Sequence, residues 1–168
     1  MNLLSRIDEL FPEHIEELDF LKGDIENCED GSIRGFYADE LLFCASVEAR
    51  VYKNKEKFTD YIKEAVRIQR NVFDDYKMGK PIDKSFVGMN QFYWALASLC
   101  VDDIKSANEF IQYLDSNRSE DDSDFSLAFG SAIKELLLVG ELSKENLRSL
   151  ETVTKDSPYE GYYFAIEG

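Results

Sequence analysis

Of the side chains that do most enzymatic work, this chain of 168 residues has one histidine and three cysteines. His14 sits in Pro12-Glu13-His14-Ile15-Glu16-Glu17, surrounded by acids on an amphipathic stretch. An imidazole can shuttle protons, but only beside a nucleophile or substrate that it can reach, and no nucleophile motif adjoins this one. A carboxylate metal site inside a helical bundle would need Glu-x-x-His pairs on two helices, and a single histidine without that spacing does not supply them. The cysteines, Cys28, Cys44 and Cys100, are odd in number, far apart and without a CxxC pair, which reads as reduced thiols rather than a disulfide or zinc framework. Cys44 and Cys100 fall on apolar helix faces and are expected in the core. A calcium loop needs acids at alternate positions around a central glycine and a closing glutamate. Asp115–Asp124 lacks the glycine, and Asp24–Gly31 is too irregular. Phosphate-binding glycine loops, GxSxG and HExxH do not occur. The chain is therefore expected to have no catalytic residue, metal or cofactor and not to be an enzyme, although a carboxylate pair assembled in space leaves no trace in sequence.

The elements that must position these groups are helices. In Gly88–Leu114, apolar residues fall at Met89, Phe92, Tyr93, Leu96, Leu99 and Cys100, and recur at Ile104, Ala107, Phe110, Ile111 and Leu114. Spacings of three and four give each segment one apolar face. Val101-Asp102-Asp103 separates them, and its carboxylates suit a helix N-terminus. A break this short makes an antiparallel hairpin. Elsewhere the pattern predicts a helix over 2–22 with a kink or restart at Pro12, a loop over 23–35, and helices over 36–53 and 55–78. Asn54 caps the latter, and Gly79 and Pro81 stop it. A polar loop over 115–124 follows. A helix over 124–140 has the broadest apolar face, hence the most central expected position, and a shorter one runs from the Ser143 cap to Val153. A last helix opens at the capping box Ser157-Pro158-Tyr159-Glu160. The reading is all-α: antiparallel helical hairpins packed as a bundle or short repeat-like array, in one domain over 1–168. Residues 1–35 form an acidic N-terminal helix and loop, and 36–168 form the hairpins.

Charge narrows the partners. The net charge is −15, distributed as −10 over residues 1–48, +4 over 50–84 and −9 over 85–168. Such a field repels nucleic acid and anionic lipid and attracts cationic partners. It also serves plain solubility. The basic residues Arg50, Lys53, Lys55, Lys57, Lys63, Arg67 and Arg70 read as a strip that pairs with acidic neighbours or faces solvent. The N-terminus is not a signal peptide, because charges break its apolar run. No uncharged stretch reaches the roughly 18–20 residues of a membrane span. A cytoplasmic location follows as an expectation.

Weak internal similarity is visible. Ala45-Ser46 matches Ala97-Ser98, Phe58 matches Phe110 and Tyr61 matches Tyr113 at one offset. At another, Phe92–Leu96 matches Tyr162–Ile166. Shared amphipathic patterning alone produces some of this, and small residues at crossings with aromatics nearby are what stacked hairpins use. In scale the segments resemble tetratricopeptide-type repeats, without that family's full consensus. In size, acidity and aromatic-rich helical hairpins over roughly 36–168, the chain resembles the small acidic helical immunity proteins found beside toxins in bacterial polymorphic and contact-dependent systems. The resemblance rests on no specific motif, so it carries over no residue. It implies a protein-binding inhibitor that blocks a toxin domain with a basic surface. The partner face is expected at Asp102 and Asp103 on the hairpin tip, with Glu120, Asp121, Asp122 and Asp124 in the next loop, because loop tips carry function more often than helix interiors. Helix capping is the competing role for Asp102, Asp103 and Asp124. The alternative is a helical-repeat adaptor that holds a peptide or helix in a groove lined by Tyr93, Trp94, Tyr162 and Tyr163, aromatics that core packing would equally explain.

Overall fold

Asn54 divides two long helical stretches in the way its side chain permits: Oδ1 accepts the Lys57 N–H at 3.2 Å and satisfies a donor that the first helical turn leaves free. The structure is a computed structural model and describes residues 3–82, 91–116 and 124–155. Among the described residues run seven α-helices: α1 (Leu3–Glu26), α2 (Gly31–Val47), α3 (Lys55–Lys77), α4 (Gln91–Leu99), α5 (Ile104–Ser116), α6 (Asp124–Val139) and α7 (Lys144–Thr154). A π-helical turn, Glu48–Tyr52, prolongs α2. No strand occurs among the described residues, and the fold is all-α. The helix expected from Ser157 onward lies outside them.

Local stop and start signals act as their chemistry predicts. α3 ends where Gly79, at φ 82°, turns left-handed. Its N–H bonds to the Tyr76 carbonyl, and the Lys80 N–H bonds to that of Asp75, which closes the paired C-terminal bonds of a Schellman motif. Ser143 caps α7 by accepting the Asn146 N–H. Two expectations are corrected. Pro12 does not restart the first helix: α1 is one element through Glu26, held on both sides of the proline by buried Phe11 and Leu18. The loop over 23–35 shrinks to four residues, because Asp30 caps α2 by accepting the Ser32 N–H at 2.8 Å, and helix begins at Gly31. Glycines at 31 and 35 are compatible with helix where tertiary packing outweighs their propensity. A Cβ at Gly31 would come within 2.7 Å of the Ile82 side chain, which would have to shift to admit it.

Successive helices pair: α2 lies chiefly on α3, α4 on α5 and α6 on α7, with smaller contacts from α3 to α4 and from α4 and α5 to α6. The core sits where these pairs meet. Trp94, Leu96, Phe110, Ile62, Ile133 and Leu150 are almost fully buried, each contributing about 1.5–3 kcal/mol of transfer free energy. Ala45, Ala65, Ala95, Ala97 and Ala107 have no exposed surface and let the helices approach closely. The residues that match at the first offset occupy equivalent environments: Ser46 and Ser98 are buried, as are Phe58 and Phe110, while Tyr61 and Tyr113 are half-buried against the core. Helix α6 is not the most central element. Among its described side chains Leu127, Leu138 and Val139 are exposed, while Ala132 and Ile133 are buried. Four consecutive apolar residues, Leu136–Val139, sweep most of a helix circumference, so they cannot all face one core.

Ion pairs fasten the helices outside this core. Arg34 of α2 bonds to buried Asp75 of α3 at 2.6 Å, and Lys80 reaches the same carboxylate at 2.8 Å. These cations, Lys80 first, hold the Asp75 carboxyl below its ordinary range. Arg70 of α3 joins Glu109 of α5 at 3.0 Å and also donates to Ser106. Glu64 receives Arg67 at 2.9 Å and Lys22 of α1 at 3.2 Å. The Arg67 hydrogen bond leads in lowering the Glu64 carboxyl to about 2. Arg67 and Arg70 thus pair with acidic neighbours, as does Lys57, 3.7 Å from Glu48.

Candidate functional site

The hairpin tip between α4 and α5 separates the two acids that sequence alone treats as a pair. Asp102 is exposed and left-handed, at φ 60°. Its N–H bonds to the Leu99 carbonyl and that of Asp103 to the Ser98 carbonyl, so Asp102 takes the place usual for glycine at the end of α4. Its side chain therefore stands on the surface as a charge, not as an N-cap. Asp103 is the cap of α5. Its Oδ1 accepts the Ser106 N–H at 3.0 Å and its Oδ2 the Ser106 hydroxyl at 2.6 Å. Burial works to raise the Asp103 carboxyl, but the bonds from Ser106 and the charges of Arg70 and Lys105 prevail, and it lies below its ordinary value.

Of the other expected partner residues, the structure describes the side chain of Trp94. Trp94 is 1% exposed and belongs to the core, which removes it from any open groove. A partner would reach it only by parting α4 from its neighbours. Glu120, Asp121, Asp122, Tyr162 and Tyr163 lie outside the described residues, as do the side chains of Tyr93 and Asp124, whose backbones belong to α4 and α6.

Sequence reasoning missed a surface on α2. Ile33, Phe36, Glu40 and Phe43 follow at spacings of three, four and three, so they form one stripe of about 15 Å along that helix. All four are exposed, Phe36 to 62%. Helix α1 borders the stripe. His14 Nε2 stands 3.1 Å from Glu40 Oε2, and the imidazole meets the Phe43 ring edge-on with centroids 6.1 Å apart. Glu17 and Leu21, three and seven residues after His14, lie on the same side of α1 and are also exposed. On α2, burial and then the Glu40 charge push the Asp39 carboxyl up to about 6. A signal existed: Phe36 and Phe43 are seven apart, but the expected loop over 23–35 hid Ile33 and placed Phe36 at a helix end.

Reactive chemistry is sparse in the described part. No group of three His, Cys, Asp or Glu side chains is placed to hold a metal ion among the described residues. The Cys44 and Cys100 thiols are pushed up to about 12, chiefly by burial, which disfavours the nucleophilic thiolate. A cleft of about 40 Å³ lies between Ile25, Arg34, Tyr37, Arg67, Ile68 and Asn71, of a size for water rather than a substrate. No described helix is long and apolar enough to cross a membrane.

The fold defines an all-helical protein of successive paired helices with an exposed aromatic stripe in an acidic region. Comparison with protein-family models, curated proteins and solved structures finds no match.

Proposed function

We propose that this chain is a protein-binding inhibitor: an immunity protein that neutralises a cognate bacterial toxin domain by direct binding in the cytoplasm. The observation that carries the reading is the exposed aromatic stripe of α2, Phe36 and Phe43 above all, in an N-terminal segment whose net charge is −10. Large apolar side chains with much of their surface exposed are the usual anchors of a protein interface. The surrounding carboxylates, together with exposed Asp102 at the hairpin tip, would steer a basic partner and raise its association rate. Inhibition of this kind asks for coverage of the partner's active surface and for no catalytic group.

The test is to mix the purified chain with the toxin domain encoded next to its gene. The expected result is a one-to-one complex that abolishes the toxin's activity, with an association rate that falls as salt rises. Failure to bind, or binding without loss of activity, would overturn the proposal. The order of pairing, α2 with α3, α4 with α5 and α6 with α7, favours a second reading, a helical-repeat adaptor that holds a peptide or helix. An adaptor would bind its ligand without blocking any activity.

A further inference from the structure

We infer that the exposed face where α1 borders α2 is the docking site, and that its occupant is a basic amphipathic helix on the partner. The inference rests on the reading of the chain as a protein binder and names the surface and the chemistry. The side-chain ridges of an incoming helix can pack into the surface grooves of a helix that presents apolar residues. Here the shared face carries Phe36 and Phe43 from α2 and Leu21 from α1, all exposed. Its charged members are carboxylates, Glu17 and Glu40, with Asp39 beside them. His14 is placed on this face by a contact, and it already faces Glu40 at 3.1 Å. The helix cations nearest in sequence point elsewhere: Lys22 pairs with Glu64 and Arg34 with Asp75, both on α3. An apolar row with carboxylates within and beside it is the complement of a helix with apolar residues at i, i+3 or i+4, and i+7, and Lys or Arg alongside them. An acidic helix would meet like charge. A second copy of this chain would bring acids against acids, which disfavours self-association through the same face.

The experiment uses the full chain and two fluorescent peptides of about 18 residues, or five turns. One has leucines on one face and lysines on the other, and its counterpart replaces lysine with glutamate. Fluorescence anisotropy is expected to show binding of the lysine peptide and none of the glutamate peptide. The variant Phe36→Ser/Phe43→Ser should weaken binding at least about tenfold, and Glu17→Lys/Glu40→Lys should weaken it at low salt. Leu138→Ser/Val139→Ser, which alters the exposed end of α6, should leave binding unchanged, and circular dichroism would verify that each variant folds. Four results would overturn the inference: no binding of the lysine peptide up to about 1 mM, equal binding of both peptides, loss of binding only in the α6 variant, or a wild-type dimer that the α2 variant dissociates. A chain that neutralises its toxin yet fails these tests would keep the proposed function and lose the docking site.

Discussion

Replacing Asp102 and Asp103 one at a time separates two roles that the sequence presents as one. Asp103→Ala removes both oxygens from Ser106, leaving its backbone N–H without the cap that accepts it at 3.0 Å. Loss of an N-cap aspartate costs about 0.5–2 kcal/mol. The upper half of that range is expected because Ser106 is 1% exposed and water replaces the lost acceptor poorly. Asp102→Gly should go the other way. A left-handed non-glycine residue bears strain of about 1–2 kcal/mol, partly offset by the extra freedom glycine gives the unfolded chain. The net expectation is a gain of up to about 1 kcal/mol. Urea titrations followed by circular dichroism measure both. The pH dependence adds a check. The folded Asp103 carboxyl lies below its ordinary 3.8, so its stabilisation is fully present above that value and is lost as pH falls through the folded one. The cost of Asp103→Ala should therefore shrink in acid. Equal costs for Asp102→Gly and Asp103→Ala, or a cost of Asp103→Ala that persists below the folded titration, would refute the assignment of separate roles.

Asp39→Asn should stabilise the protein at neutral pH. The folded carboxyl is raised from 3.8 to about 6, so the native state holds the proton more tightly and stability falls as pH rises through that window. The shift corresponds to at most about 3 kcal/mol, and about 1–2 kcal/mol is expected after solvent screening. Melting curves at pH 4 and 7 should show the advantage of the variant only at the higher pH. Trp94→Ala should cost about 3–5 kcal/mol by opening a cavity in the core, and a variant as stable as wild type in urea would contradict the burial of that ring. Thiol labelling of native protein should find Cys44 and Cys100 slow and Cys28, in the connection between α1 and α2, faster. Prompt labelling of all three would contradict the raised thiol values.

Helical class, hairpin pairing and most element ends were legible in the sequence because they depend on residues within a turn or two of each other. Asn54, Ser143 and Gly79 each act on backbone groups three or four positions away, and a spacing of three and four marks an apolar face wherever it stands. What that face meets is not local. Trp94 and Phe36 are both aromatics on amphipathic helices, yet α4 is enclosed by its neighbours while the outer side of α2 is not, so one ring is core and the other is surface. The same dependence on distant segments keeps α1 whole through Pro12, and it leaves the apolar end of α6 outside. It also assigns Arg70 to Glu109 rather than to solvent. The acids of the hairpin tip divide for a geometric reason: once α4 and α5 fold back on each other, one residue must turn left-handed and the next must cap. Sequence determined that carboxylates stand at that tip. Only the tertiary structure decided that Asp103 is occupied with Ser106, that Asp102 is turned to the surface, and that an exposed apolar stripe lies on α2.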